Sequence, residues 1–121
     1  MLNKINYLET AIDRYPLVFT LNVMEAIQEK FGTIEAWSSL IQRKGEPDIK
    51  ALKFFMTEAI NEGIEIENEK TGEKRRSLTA KQVGRILSEV GVSDTANKIM
   101  STIADSVDDS EEKNSKRPQK V

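Results

Sequence analysis

PDIKALKFFMTEAINEG, running from Pro47 to Gly63, is the most apolar stretch of the chain and decides its architecture. Ile49, Leu52, Met56, Ala59 and Ile60 recur at spacings of three and four, and Phe54 and Phe55 widen the stripe. That period is helical, and a stripe this broad suits a helix packed on more than one side. Pro47 fits a first helical turn, Asp48 complements the positive end of the helix dipole, and Gly63 supplies a stop. A helix over residues 49–60 is therefore the expected centre of the core.

Upstream, Ile5 to Phe19 reads as a β-hairpin. Ile5, Tyr7, Val18 and Phe19 are good strand formers, and Asp13-Arg14 lies between apolar stretches. Pro16 has no N–H for a ladder, so it belongs at an edge or a non-bonded position. Asn22 to Phe31 reads as a helix, with Asn22 as cap, Glu25 three residues on, and Gly32 as stop. Thr33 then caps a second helix that carries Ile34, Trp37, Leu40 and Ile41. A polar linker, Gln42 to Glu46, joins it to the central helix.

Downstream of Gly63, alternation of Ile64 and Ile66 with Glu65 and Glu67 suggests a short strand, and Asn68 to Arg76 an exposed charged loop. Thr79 and Gln82 form a capping box for a fourth helix with Val83, Ile86, Leu87 and Val90 on one face and Gly91 as its stop. Ser93 or Asp94 caps a fifth, with Ala96, Ile99, Met100, Ile103 and Val107 on its apolar face. From Asp108 the chain holds four acidic and four basic residues and almost nothing apolar. Such a segment cannot offset its ordering entropy. The expected fold class is α+β and mainly helical: an N-terminal β-hairpin followed by about five short helices. Residues 1–107 form one globular domain, and residues 108–121 a disordered charged tail.

A chain of 121 residues supports one modest core, and 31% charged residues give a hydrophilic surface. It contains neither cysteine nor histidine, so disulfides, thiolate zinc sites and His-based nucleophile pairs are excluded. No apolar run approaches the roughly 20 residues of a membrane helix, and Met1 to Tyr7 shows no signal-peptide pattern, so a cytoplasmic protein is expected. Glu62, Glu65, Glu67 and Glu69 cluster among Lys and Arg, where a solvated, charge-balanced loop explains them better than acid–base chemistry. No catalytic residue, cofactor site or metal site is expected.

Two features point to binding. The run from Gln82 to Ser93, with a Gly-Val-Ser turn between helices, has the dress of a helix-turn-helix, and Lys74, Arg75, Arg76, Lys81 and Arg85 lie near it. The would-be recognition helix, however, offers Asn97 and Lys98 beside Asp94 and Asp105, which repel phosphate. Aromatic residues are also enriched at protein interfaces. The helical spacing of Trp37 and the phenylalanines makes core membership the default reading; the short helix with Ile34, Trp37, Leu40 and Ile41, with the neighbouring face of the third helix, is the candidate partner-facing element.

The run Tyr15-Pro16-Leu17-Val18-Phe19-Thr20-Leu21-Asn22-Val23-Met24-Glu25-Ala26-Ile27-Gln28-Glu29-Lys30-Phe31-Gly32 resembles tail assembly chaperones of phages and prophages of Gram-positive, especially clostridial, bacteria. Pro47 to Phe54 and Thr79 to Arg85 fit the same pattern, so the resemblance covers roughly residues 3–106. Glu9 to Asp13 departs from it in lacking a glycine-containing turn. The resemblance implies a non-enzymatic protein of the bacterial host cytoplasm, without cofactor, that binds the tape-measure protein, recruits tail tube subunits and is absent from the finished virion. It also implies the short member of a frameshifted pair. Self-association is left open, and neither a membrane nor nucleic acid is an expected partner. The other readings are a small helix-turn-helix DNA-binding protein and a structural component of the virion tail.

Overall fold

Among the described residues, two short strands and five helices follow in the order β1 (Asn6–Glu9), β2 (Arg14–Leu17), α1 (Leu21–Phe31), α2 (Ile34–Gln42), α3 (Ile49–Thr71), α4 (Ala80–Val90) and α5 (Val92–Lys116). The computed structural model describes residues 5–116, with side chains through Ser106. The expected α+β class, a hairpin followed by five helices, is what is observed. The α5 helix runs to Lys116, past the expected domain boundary at 107. For its side chains, and for all of residues 117–121, the expected tail lies outside the described residues.

The strands pair antiparallel, with Asn6 opposite Leu17, Tyr7 opposite Pro16, Leu8 opposite Tyr15 and Glu9 opposite Arg14. No glycine is needed in the connection. The Thr10 amide donates to the Asp13 carbonyl (2.9 Å), and the Thr10 hydroxyl accepts from the amides of Ile12 (3.3 Å) and Asp13 (3.1 Å). A side-chain hydroxyl thus does locally what a glycine turn does by backbone freedom.

The far edge of β2 is covered by a helix rather than a strand. The Val18 amide donates to the Ala59 carbonyl of α3 (3.4 Å). Alternate residues of an extended chain direct their nitrogens to the same edge, so Pro16's nitrogen also faces α3. Proline therefore sits where no ladder donor is missed. At that place α3 presents Gly63, and a Cβ there would lie 2.8 Å from the Pro16 Cβ and 3.0 Å from its carbonyl carbon and oxygen. Gly63 is thus a point of close approach inside the helix, not its stop.

That contact corrects three expectations. The central helix does not end near residue 60 but continues to Thr71, and Gly72, in the left-handed conformation (φ 81°), closes it. Ile64 is buried one turn beyond Ile60 and extends the stripe, so the short strand does not form. The clustered glutamates stand on α3, not in a loop. Pro47 precedes the cap instead of occupying the first turn, and Asp48 caps through its Oδ1, which accepts from the Ala51 amide (2.9 Å).

The charged segment after Gly72 is tied down along α3. Asn68 donates from Nδ2 to the Arg75 carbonyl (2.9 Å) and accepts the Arg75 amide at Oδ1 (3.1 Å). Asn61 makes the same paired contact with Leu78, at 2.9 and 2.7 Å. Seven residues of helix rise about 10.5 Å and three residues of extended chain span about 10 Å, so both asparagines stay in register with a chain running back along α3. This return strap delivers Thr79 to the start of α4, where the expected capping box with Gln82 is present. At α1 the cap is Thr20, not Asn22. Asn22 and the Thr20 hydroxyl instead both donate to Glu62 Oε2 at 2.9 Å, joining α1 to α3.

The core gathers around α3. Phe55 stacks on Trp37 (centroids 5.2 Å apart, planes 20° apart) and meets Phe19 at 5.8 Å. Leu17, Ile27, Leu52, Met56, Ile60, Val83 and Ile99 complete the buried cluster.

Candidate binding surface

Trp37, expected to face a partner, is fully buried, and its indole Nε1 donates to the Ala51 carbonyl of α3 (3.1 Å). Ile41 is also core, and Ile34 and Leu40 are partly buried against it. The partner-facing assignment is therefore corrected for Trp37 and Ile41, while Ile34 and Leu40 keep part of their surface exposed. Their spacing marks the face α2 buries on α3, and a partner could reach Trp37 or Ile41 only by lifting α2 away.

The expected helix-turn-helix also takes a different form. Only Gly91 (φ 100°) separates α4 from α5, and Val92 and Ser93 belong to α5, so the three-to-four-residue turn of that motif is not present. Of the nearby cations, Arg75 is committed elsewhere. It pairs with Asp13 (3.0 Å), donates to the Arg14 carbonyl (3.2 Å) and lies 5.2 Å from the Tyr15 ring.

A polar cleft of about 400 Å³ between α1, α3 and the return strap is lined by Asn22, Asn61, Glu62, Asn68 and Arg75. Those groups already make hydrogen bonds that hold the fold together, and Glu58, Glu65 and Ser77 also line the cleft. Among the described residues no group of three or more acidic, His or Cys side chains is placed to hold a metal ion, and no helix is long and apolar enough to cross a membrane.

Tyr7, on the outer face of the hairpin, donates its hydroxyl to Glu67 Oε2 of α3, and the Arg14 guanidinium lies 3.8 Å over its ring. Its pKa is raised above the ordinary 10.0, first because ionisation would lose the hydrogen bond to Glu67, then by burial and the Glu67 charge, against the lowering effect of Arg14. The folded state thus holds this proton more tightly than the unfolded chain. The contribution is fully present below pH 10, where the unfolded tyrosine is still protonated, and is lost as pH rises through the higher folded value. Alkaline titration of phenolate absorbance should show one tyrosine ionising late, and Tyr7→Phe should remove that late step. A Tyr7→Phe titration identical to wild type would place the late proton elsewhere.

A further concavity differs in kind. A groove of about 220 Å³, mostly apolar, lies between the start of α3, the middle of α4 and the start of α5. Ile49 (51% exposed) and Val92 (40% exposed) stand at it with Leu87, and the stem of Lys53 crosses it beside Gly84. Thr95 also lines it. Its hydroxyl is the one buried side-chain polar atom without a hydrogen-bond partner among the described residues. An unsatisfied buried hydroxyl costs about 1–3 kcal/mol. Thr95→Val keeps the shape and removes the polar atom, so it should stabilise the protein by about 1 kcal/mol in urea unfolding. A loss of stability would mean that the hydroxyl has a partner in solution.

Sequence periodicity missed this surface for local reasons. Ile49 belongs to the α3 stripe but is its first residue, where no preceding turn covers it. Val92 follows the stop glycine and reads as part of a Gly-Val-Ser turn. The available signal was an apolar residue at the N-terminus of two different helices, Ile49 after Asp48 and Val92 after Gly91. No protein-family model, curated protein or solved structure matches the chain.

Proposed function

We propose that this chain is a protein-binding module that acts as a tail assembly chaperone, engaging the helical tape-measure protein and tail tube subunits of a tailed phage or prophage in the bacterial cytoplasm. The resemblance carried by Tyr15 to Gly32, Pro47 to Phe54 and Thr79 to Arg85 supports the family. The observation that carries the binding reading is the mostly apolar groove at which the exposed side chains of Ile49 and Val92 stand. Partner energetics are dominated by large side chains entering such desolvated places.

A tape-measure protein is long and helical and exposes apolar seams until the tube closes around it. A small chaperone with a charged surface and a shallow apolar groove suits reversible shielding of those seams. Co-expression with the tape-measure protein of the same locus should keep that protein soluble and yield a complex in pull-down. Because apolar contacts carry the binding, the complex should survive moderate salt, where phosphate-driven binding falls by orders of magnitude. Failure to recover a complex at either low or moderate salt would remove the reading's central support. Recovery of the chain in purified virions would favour a structural tail component instead.

A further inference from the structure

Lys53 lines the groove at the start of α3, the middle of α4 and the start of α5, and further cations stand on the adjoining helical turns. Lys53 crosses it, and Lys50 lies one turn before Lys53, next to Ile49. On α4, Lys81 is three residues before Gly84 and Arg85 three before Ser88, both of which line the groove. Among the described residues none of these four cations forms an ion pair, the pair there being Arg75 with Asp13. The nearby acids are few. Asp48 caps α3, Glu89 accepts from the Ala11 amide (3.4 Å) and Asp94 opens α5, so three carboxylate charges stand against the four cations. A chain of net charge −2 thus concentrates positive charge around its apolar groove.

We propose that this groove docks an amphipathic α-helix of another protein, one that inserts a large apolar side chain between Ile49 and Val92 and carries acidic residues on either side of it. This deepens the chaperone reading, on which the choice of a helical partner rests. The apolar floor calls for an apolar anchor, and the unpaired cations call for carboxylates at the rim. A second copy offering its C-terminal segment would bring neither net negative charge nor an apolar anchor, because residues 108–120 hold four acidic and four basic residues and only Pro118 among apolar side chains.

The test uses the full chain and a fluorescently labelled helical peptide of about 18 residues, long enough to hold a helix. It carries a leucine stripe flanked by glutamates, and a twin replaces the glutamates with lysines. Ile49→Glu and Val92→Glu place a charge in the groove at helix N-terminal positions, where a carboxylate suits the dipole and folding is kept. Leu21→Glu, at a 69% exposed site on α1, is the control. Circular dichroism and thermal melts verify that all three variants fold.

The acidic peptide should bind wild type and Leu21→Glu alike, and lose about tenfold or more in affinity with each groove variant. The lysine twin should bind at least about tenfold more weakly than the acidic peptide. Equal binding of the two peptides, or binding indifferent to Ile49→Glu and Val92→Glu, overturns the proposal. Displacement of the peptide by mixed-sequence duplex DNA overturns it in favour of nucleic acid. Wild-type self-association in sedimentation velocity that both groove variants abolish overturns it in favour of a second copy. The tape-measure pull-down separates this proposal from the chaperone reading. A complex that persists with both groove variants leaves the chaperone reading standing and removes the groove. Groove-dependent peptide binding without any tape-measure complex does the reverse.

Discussion

Gly63→Ala is expected to destabilise the protein by about 1–3 kcal/mol, the cost of forcing atoms into a filled space. The same change inside an unconstrained helix gains about 1 kcal/mol, because alanine is the better helix former. Packing reverses the sign here. A Cβ at Gly63 meets the Pro16 Cβ at 2.8 Å and its carbonyl carbon and oxygen at 3.0 Å. Pro16 has a locked φ and lies in a strand paired to β1, so it cannot step aside alone. Relief would require β2 to move off α3, stretching the Val18–Ala59 hydrogen bond. Urea unfolding should show a lower midpoint with an unchanged slope. Gly84→Ala is the matched control. Its Cβ meets only the flexible stem and tip of Lys53, at 3.3 and 3.8 Å, so it should be neutral or gain up to about 1 kcal/mol. If Gly63→Ala raises the midpoint as Gly84→Ala does, the approach of α3 to the hairpin is not rigid.

Trp37→Ala should cost about 3–5 kcal/mol, the range for removing a buried large aromatic side chain. Small domains are stable by only about 5–15 kcal/mol, so this variant is expected to be partly unfolded at room temperature. Trp37 loses three things at once: a fully buried ring, the stack on Phe55 and the hydrogen bond to the Ala51 carbonyl. Trp37→Phe keeps most of the stack and drops the N–H, and should cost less, about 1–2 kcal/mol. Far-ultraviolet circular dichroism melts report both. In the wild type, Trp37 is the sole tryptophan, so its emission is a direct reporter of the core, blue-shifted when folded and moving red on denaturation. A Trp37→Ala protein that melts cooperatively at the wild-type temperature would show that α2 is not part of the core.

Much of the secondary structure was legible because its signals are local. Thr33, Thr79 with Gln82, Gly32 and Gly91 act within a few residues of chain, and they mark the helix ends as read. The apolar stripes of α3 and α5 named core residues such as Leu52, Met56, Ile60 and Ile99 for the same reason. The candidate surface was scarcely legible. Trp37 is aromatic and helically spaced whether it lines a core or an interface, and periodicity alone does not say which neighbour covers it. The cations around the groove lie on α3 and α4, some 30 residues apart in sequence, and only folding gathers them.

By itself the sequence determined that this is one small, mainly helical domain with a hairpin in front, and that it has no cysteine or histidine chemistry. Composition and short-range spacing suffice for that, because caps, stripes and residue counts involve no distant partner. Tertiary structure alone decided the role of Gly63, the path of the strap from Gly72 to Thr79, and the exposure of Ile49 and Val92. A mid-chain glycine reads as a stop until a proline from a strand more than 40 residues away is found pressed against it. Likewise a run of charges reads as a free loop until two asparagines one helical repeat apart are seen holding its backbone. The physical reason is the same in each case: conformations that cost free energy locally are offset by contacts between segments remote in sequence, and those contacts exist only once the chain has folded.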